Sequence, residues 1–292
     1  MSDTFFNESF RNMYSDVLRT ELQQKGSVLL DKVTIEMDLK GKNYFMDQVQ
    51  KRTAKKKSGR LENHEITSPE TERRKIVPQT IYDAIGIDKF DEPKMVVNPD
   101  SKYIVTQKYA IGRSIDEDIY DAARGTAYTG ETGGTSVTLP STSKIAHGSS
   151  GLTFAKINDA LEILNDAHVS QDEDKFMLVC PRQIKELLSL DEITNIDYAT
   201  KKSLYDGMPG RLLGFTFVPF DKNLTYSTGT TTITRYLMAF TRSAIGWGYE
   251  IPLFTRIDEL KEKHYAKQIY SALSGGATRL IDGGVVEIAC QE

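Results

Sequence analysis

Residues 98–125 read NPDSKYIVTQKYAIGRSIDEDIYDAARG, and this stretch predicts one long helix with both ends marked. Asn98 can serve as the N-cap, and Pro99 fits the first turn, where a missing N–H costs nothing. Gly125 can close the helix in the left-handed conformation. About 26 residues at 1.5 Å each predict a rod of roughly 40 Å.

One face of this helix is apolar, because its hydrophobic residues recur at spacings of three, four and seven. They are Ile104, Ile111, Ile115, Ile119 and Ala122. A helix of this length braces a sheet, joins domains or forms a coiled coil. An ordinary amphipathic core helix is the simpler alternative.

The middle of the helix contains two residues that weaken it. Gly112 costs roughly 1 kcal/mol relative to alanine in a helix interior. Ser114 can bond back to a carbonyl of the preceding turn and bend the helix. Glycine and serine together mark places where helices kink. The pair predicts either a hinge or, at Gly112, close packing of another element.

Acidic residues crowd the second half of the helix. They could bind a cation, pair with basic groups or form a solvated face. The residues are Asp116, Glu117, Asp118 and Asp121.

The composition predicts a folded, mildly acidic protein. The chain has 292 residues, 39% of them hydrophobic and 27% charged, with a formal net charge of −4. This length accommodates two compact domains or one elaborated domain with a buried core. The negative charge argues against a protein whose main task is to grip phosphate backbones.

Other bulk features suggest a compartment. The two cysteines lie far apart in sequence and indicate no disulfide framework, so a reducing cytoplasm is the simplest setting. The first residues show no secretion signal, and no apolar run is long enough to cross a membrane.

The segment before the long helix contains an extended excursion. A helix is expected over residues 4–24, and alternating residues from Val33 to Leu39 predict a half-buried strand. A second β-like run follows at residues 75–82. The polar stretch 41–74 between the two strands is too long for a hairpin turn, and its centre is strongly basic.

The basic residues of this stretch allow three interpretations. A nucleic-acid patch is one, although no aromatic residue lies between the cations to stack on bases. A charged loop that reaches an acidic neighbour and a merely solvated loop are the others. The basic residues are Lys51, Arg52, Lys55, Lys56, Lys57 and Arg60.

The segment after the long helix changes character twice. Residues 125–151 are rich in Gly, Ser and Thr and predict a loop or linker. A second domain is expected from Leu152, with a helix capped by Thr153, a strand over 176–180 and a helix opened by Pro181. More strands follow, and the last is predicted over residues 285–290.

The residues that usually carry chemistry do not combine into an active site. None of the four histidines has a His or Cys at metal-ligand spacing, and no nucleophile elbow or P-loop spacing occurs. Cys180 lies in an apolar setting, which raises a thiol pKa and argues against a catalytic thiolate. We therefore expect no enzyme, no cofactor and no metal. Trp247, between two glycines, is expected in the core or at a sheet edge.

The order of these elements resembles the major capsid proteins of tailed bacteriophages, which share the Hong Kong 97-type shell fold. Two stretches carry the resemblance best. The first is GLTFAKINDALEIL at residues 151–164, followed by FMLVCPRQIKELL at 176–188. The second is GRLLGFTFVPFDKNL at 210–224. The closing GGATRLIDGGVVEI at 275–288 is similar to the family's last peripheral-domain strand.

The resemblance covers nearly the whole chain and implies an α+β fold in five parts. Residues 1–32 are then the N-terminal arm, and residues 33–82 the extended β-loop with its base strands. Residues 83–151 form the peripheral domain, with the spine helix and the Gly/Ser/Thr-rich loop. Residues 152–250 form the α/β axial domain. Residues 251–292 return to the peripheral domain.

The resemblance also implies partners. The chain is expected to form hexamers and pentamers in a closed icosahedral shell that encloses double-stranded DNA and is assembled in the host cytoplasm. A separate scaffolding protein is implied, because no long charged helical region precedes the arm. A portal and a cement protein are further expected partners, and a membrane is not. The alternatives are an encapsulin-like nanocompartment shell and, from another class, a nucleotide-binding enzyme.

Two expectations concern the residues named above. Family shells mature by expansion, in which spine helices straighten, so Gly112 and Ser114 are a candidate hinge. The basic residues of the excursion are expected to face an adjacent subunit, with Asp116, Glu117, Asp118 and Asp121 as candidate partners. Each exposed pair contributes only about 0–1 kcal/mol, but the contact recurs throughout a shell.

Overall fold

The computed structural model describes residues 23–37, 39–41, 43–50, 52–56, 59, 66, 68, 71–88, 100–167, 173–189, 211–221, 223, 225–229 and 233–292. The helix predicted at 4–24 lies almost wholly outside these ranges, as do Asn98, which was predicted as the N-cap, and Pro99.

The described ranges contain three helices, which are α1 (Asp100–Arg124), α2 (Phe154–Asp166) and α3 (Pro181–Leu188). The strands up to α2 are β1 (Thr34–Glu36), β2 (Tyr44–Val49), β3 (Thr71–Ile76), β4 (Gln79–Ile87), β5 (Ala127–Thr129), β6 (Thr135–Val137) and β7 (Lys144–Ile145). The later strands are β8 (Lys175–Val179), β9 (Arg211–Leu212), β10 (Phe215–Pro219), β11 (Ser227–Thr228), β12 (Thr234–Thr241), β13 (Ile245–Leu260), β14 (Ala266–Arg279) and β15 (Val285–Gln291).

Helix α1 is the predicted long helix and runs unbroken through Gly112. Its core face carries Ile111, Ile115 and Ile119, as predicted, whereas Ala123 is buried more deeply than Ala122. The predicted left-handed ending is wrong, because Gly125 has no positive φ. Its N–H instead donates to Asp121 O at 2.7 Å and closes the last turn.

A four-stranded sheet packs against one side of α1, with strand order β1–β13–β14–β4. Gln107 of α1 is fully buried in this contact. Its Nε2 donates to Ile269 O at 2.9 Å, and its Oε1 accepts from Ser271 Oγ at 2.9 Å. The long antiparallel pair of β13 and β14 is the centre of this sheet.

The strand predicted at residues 33–39 is shorter than its sequence pattern. Only Thr34–Glu36 pairs, in parallel with Gly246–Gly248 of β13. Val33 and Leu39 are buried as expected, but Met37 is exposed. The strand ends before Leu39, whose side chain packs closely beside Gly248. The closeness is shown by a Cβ built on Gly248, which would stand 2.4 Å from Leu39 Cδ1.

A seven-stranded sheet covers the other side of α1, with strand order β7–β15–β12–β8–β10–β9 and β11 paired to β12. Alternate residues of β8 face opposite sides, as strand geometry requires. Phe176 and Leu178 join α1 in one core cluster, and Met177 and Val179 join α2 in another. Helix α1 therefore lies between the two sheets.

The second sheet changes the predicted domain boundaries. Strand β15 pairs with β12 and β7, so residues 285–291 belong to the α/β sheet and do not return to the peripheral part. Strand β13 begins at Ile245, so the peripheral sheet takes up residues that were assigned to 152–250. The capping prediction at Thr153 is confirmed, since its Oγ1 accepts from Lys156 N at 3.4 Å.

The Gly/Ser/Thr-rich segment is not a simple linker. Residues 127–129 and 135–137 pair as β5 and β6, and β5 pairs with β3 to complete a third sheet of order β2–β3–β5–β6. Residues 144–145 form the outer strand beside β15. Each strand has only two or three residues; β5 and β7 pair with strands distant in sequence, β3 and β15, whereas β6 pairs with the neighbouring β5.

Lys156 stabilises the end of the Gly/Ser/Thr-rich segment through hydrogen bonds to the backbone. Its Nζ donates to four backbone carbonyls, those of His147, Ser150 and Gly151 at 2.8 Å and of Ala289 at 3.0 Å. The side chain is buried, and burial lowers the pKa of Lys156. Hydrogen bonds of this number compensate for the lost hydration of the ammonium group.

Trp247 is fully buried, which confirms its predicted core position, and glycines make room for it. We expect Gly275→Ala to lower the free energy of unfolding by about 1–3 kcal/mol. The added Cβ would stand 2.7 Å from Gly248 O and 2.9 Å from Trp247 Cζ2. Urea denaturation of the unassembled protein measures this loss.

Gly86→Ala is the matched control, because Gly86 lies in β4 of the same sheet and its Cβ would meet no atom within 4 Å. We expect it to change stability by less than about 0.5 kcal/mol. Equal unfolding midpoints for the two variants would contradict the close packing at Gly275.

Candidate assembly surfaces

The excursion between residues 41 and 74 is an extended hairpin. Strands β2 and β3 pair antiparallel from Tyr44 opposite Ile76 to Val49 opposite Thr71. Near its base, Met46 and Ile76 pack with Leu39 and Leu280 in a small core of their own. Further along, Val49 is 69% exposed and Ile66 85% exposed, so the described residues leave these apolar side chains largely uncovered.

A charged junction fixes the base of the hairpin. Arg74 of β3 is buried, and its Nη2 lies 2.8 Å from Asp282 Oδ2 and 2.9 Å from Glu72 Oε1. The other oxygen of Asp282 accepts from Nε of Arg279 at 2.6 Å. Arg279 is fully buried and also donates to carbonyls at the end of α1. The hairpin is thereby joined to the helix and to β14.

Three of the six basic residues predicted to contact a neighbour lie among the described residues. Arg52, Lys55 and Lys56 are exposed. Lys51, Lys57 and Arg60 lie outside the described residues. Whether these cations face another subunit stays a prediction.

The acidic residues of α1 do not form one surface. Asp116 is fully buried, and its carboxylate accepts hydrogen bonds from residues 24–29, so its place among the predicted surface partners is corrected. Glu117 and Asp121 are exposed, and Asp118 is half-buried. Burial, with the nearby charges of Glu117 and Asp121, raises the pKa of Asp118 to about 6.

Asp121 also borders a pocket at the carboxyl end of α1, with a volume of about 350 Å³. Arg124, Lys144 and Glu287 line the same pocket, and Arg124 Nε lies 2.7 Å from Glu287 Oε2. Although Asp121 is exposed overall, partial desolvation raises the pKa of its carboxyl group, and the charge of Arg124 opposes that rise. The pocket is lined by polar groups of both signs.

At Gly112 the structure has the close packing that was one of two alternatives. A Cβ on this residue would stand 2.6 Å from Gly26 C and from Ser27 N. The backbone of residues 26–27 thus lies directly on the helix. Hinge motion at Gly112 and Ser114 stays a prediction.

One exposed aromatic surface was not predicted from the sequence. On the face of the four-stranded sheet opposite α1, the ring centroids of Tyr82 and Tyr270 lie 6.0 Å apart and those of Phe254 and Tyr270 lie 6.1 Å apart. Tyr82 is 65% exposed. The outer half of β13 adds exposed Ile251 to this apolar surface. No alternation marks this half of β13, because it is exposed on both faces.

The described residues offer little to catalysis. Both cysteines are buried and free, and burial raises the pKa of Cys180, as predicted, and that of Cys290 to about 12. In the described ranges, no three His, Cys, Asp or Glu side chains gather as metal ligands. Within those same ranges, no helix is long and apolar enough to cross a membrane.

Exposed apolar faces of this kind are typical of surfaces that contact other molecules. The family model for phage capsid protein matches residues 6–292, and the chain belongs to that family. It is a subunit of a capsid shell, with the Hong Kong 97-type fold that its sequence predicted.

Solved structures agree with this family. A structure from Mycobacterium phage Che8 is 17% identical, covers 96% of each chain and has a TM-score of 0.69. The capsid of cyanophage P-SCSP1u is 15% identical, covers 97% of this chain and 94% of that chain, and has a TM-score of 0.74. The capsid of Ralstonia phage GP4 is 13% identical, covers 99% and 97%, and has a TM-score of 0.72. No curated protein matches the sequence.

The junction at Asp282 gives a prediction about stability. We expect Asp282→Ala to destabilise the unassembled protein by about 3 kcal/mol, because it leaves the buried guanidinium groups of Arg74 and Arg279 without their shared anion. Asp47→Ala is the control on the same hairpin. The Asp47–Arg73 pair is exposed, and its loss should cost about 0–1 kcal/mol. Thermal unfolding compares the two, and equal losses would contradict the role of the junction.

Proposed function

We propose that many copies of this chain assemble as pentamers and hexamers into a closed icosahedral shell around packaged double-stranded DNA. The observation that carries this proposal is the extended hairpin. Its base is fixed by buried charges, whereas Val49 and Ile66 further along are left largely uncovered by the described residues. A rigid arm of this kind gains its burial from a neighbouring copy.

The proposed contacts use the surfaces described above. The exposed cations Arg52, Lys55 and Lys56 reach an adjacent subunit. With Asp116 buried, the candidate partners are Glu117, Asp118 and Asp121. The aromatic face around Tyr270 is a second candidate contact with another copy, because an exposed apolar sheet face is costly in water.

Other parts of the proposal rest on the family. Assembly takes place in the host cytoplasm with a separate scaffolding protein, and a portal and a cement protein complete the particle. Residues before 32 act as an arm, and the α/β sheet acts as the axial part around hexamer and pentamer axes. The mildly acidic net charge of −4 suits a wall that does not hold packaged DNA by its phosphates.

Assembly is tested by negative-stain microscopy of the purified protein, alone and with its scaffold. We expect closed shells of uniform diameter, because weak contacts that repeat by symmetry correct errors during growth. A protein that stays monomeric at high concentration in both conditions would contradict the proposal. Shells that fill with a protein cargo and exclude DNA would indicate a nanocompartment.

Charge reversal tests the contact of the hairpin. The double variant Lys55→Glu and Lys56→Glu should give shells that dissociate at a lower temperature, while the unassembled protein keeps its unfolding midpoint. Lys55→Arg with Lys56→Arg is the matched control, because it keeps the charge at the same positions. The difference should shrink in about 1 M salt, where screening acts within about 3 Å. Shells of equal stability for all three proteins would show that the cations are bystanders.

A further inference from the structure

Residues 23–29, which we name the root segment, lie across the middle of α1. Their backbone approaches the helix so closely at Gly112 that a Cβ there would stand 2.6 Å from Ser27 N. One residue further along the helix, Arg113 Nη1 donates to Gln23 Oε1 at 2.9 Å. Gly112 is therefore the first residue of α1 in its contact with the root segment.

The buried carboxylate of Asp116 holds the same segment one turn further along. Its Oδ1 accepts from Ser27 Oγ at 2.5 Å and from Leu29 N at 3.0 Å, and its Oδ2 accepts from Val28 N at 3.0 Å. Gln24 Nε2 also donates to this carboxylate. The backbone N–H groups at 28 and 29 converge on one anion, as in the anion-binding turns of other proteins.

The root segment also has its own internal order. Ser27 Oγ accepts from Leu30 N at 3.1 Å while its proton goes to Asp116. Leu29 is fully buried in the core cluster that contains Ile111 and Ile115 of the helix. The segment is thus a shaped, anchored piece of chain and not a loose strand.

The part of α1 under the root segment is intrinsically its weakest part. Gly112 disfavours the helical conformation, and Ser114 can compete for a backbone carbonyl. The root segment contacts α1 at residues 112, 113 and 116 and so spans this turn on one side of the helix. From this coincidence we propose that the root segment is a clamp that keeps α1 straight across Gly112, and that release of the clamp loosens the helix at that point.

The clamp couples two parts of the molecule that are far apart in sequence. A pull on the chain before residue 23 acts first on Gln23 and Gln24, and then on the turn of the helix at 112–116. The proposal extends the hinge hypothesis by naming what holds the hinge closed. It concerns the isolated subunit, so its failure would leave the proposed shell function untouched.

Hydrogen exchange of the unassembled full-length protein tests the clamp. We expect Asp116→Asn to speed amide exchange about tenfold both in the root segment and in residues 112–118 of α1, because it removes the negative charge and replaces one of the two acceptor oxygens by an NH2 donor that faces other donors. Ser27→Ala is a milder second variant, which removes one donor to Asp116 and the cap of Leu30 N. Glu117→Gln is the matched control on the exposed neighbour and should leave both regions unchanged.

The variant Gly112→Ala separates two effects, namely the attachment of the root segment to α1 and the low intrinsic helix stability at residue 112. The new Cβ pushes the root segment away, so its amides should exchange faster, but alanine strengthens the helix, so residues 112–118 should stay protected. Two results would overturn the clamp. Either Asp116→Asn and Ser27→Ala speed exchange only in the root segment, or they change neither region. Fast exchange of residues 112–118 in Gly112→Ala would remove Gly112 as the weak point.

Discussion

The guanidinium of Arg279 is the constraint on which the arrangement of the parts depends. It is fully buried and donates to Asp282, to the carbonyls of Ala123 and Gly125 at the end of α1, and to Val137 O. The last carbonyls of a helix have no partner inside it, and here a side chain supplies one. A buried cation is tolerated only while its donors are satisfied. Neither helix nor strands can therefore move away from it separately.

A second set of contacts joins α1 to the α/β sheet. The guanidinium carbon of Arg124 lies 3.8 Å from the ring centroid of Tyr226 and 4.8 Å from that of Tyr236. Tyr120 Oη donates to Tyr236 O at 2.6 Å and accepts from Tyr226 N at 3.1 Å. With a sheet on each side, the helix makes the two halves of the molecule a single body. The base of the extended hairpin is attached to that body through Arg74 and Asp282.

Local patterns in the sequence were sufficient for α1, for the cap at Thr153 and for strand β8. They were not sufficient where pairing is distant. The run 285–290 indicated a buried strand, but its apolar composition does not state which sheet it joins. In the sequence, Asp116 could not be distinguished from its acidic neighbours, because its burial depends on a segment some 90 residues earlier. Its position four residues after Gly112 could have indicated that it faces the element packed at that glycine. No local sequence pattern indicated the hydrogen-bond partners of Arg279.

The four carbonyls around Lys156 have a consequence for a particle built from many copies. Such a ring of oxygens resembles the coordination shell of a monovalent ion, and the chain fills it with its own ammonium group. A tethered cation cannot be dialysed away or exchanged for another metal. The turn at residues 147–151 is thus held by a cation that belongs to the chain itself and does not depend on the ionic medium.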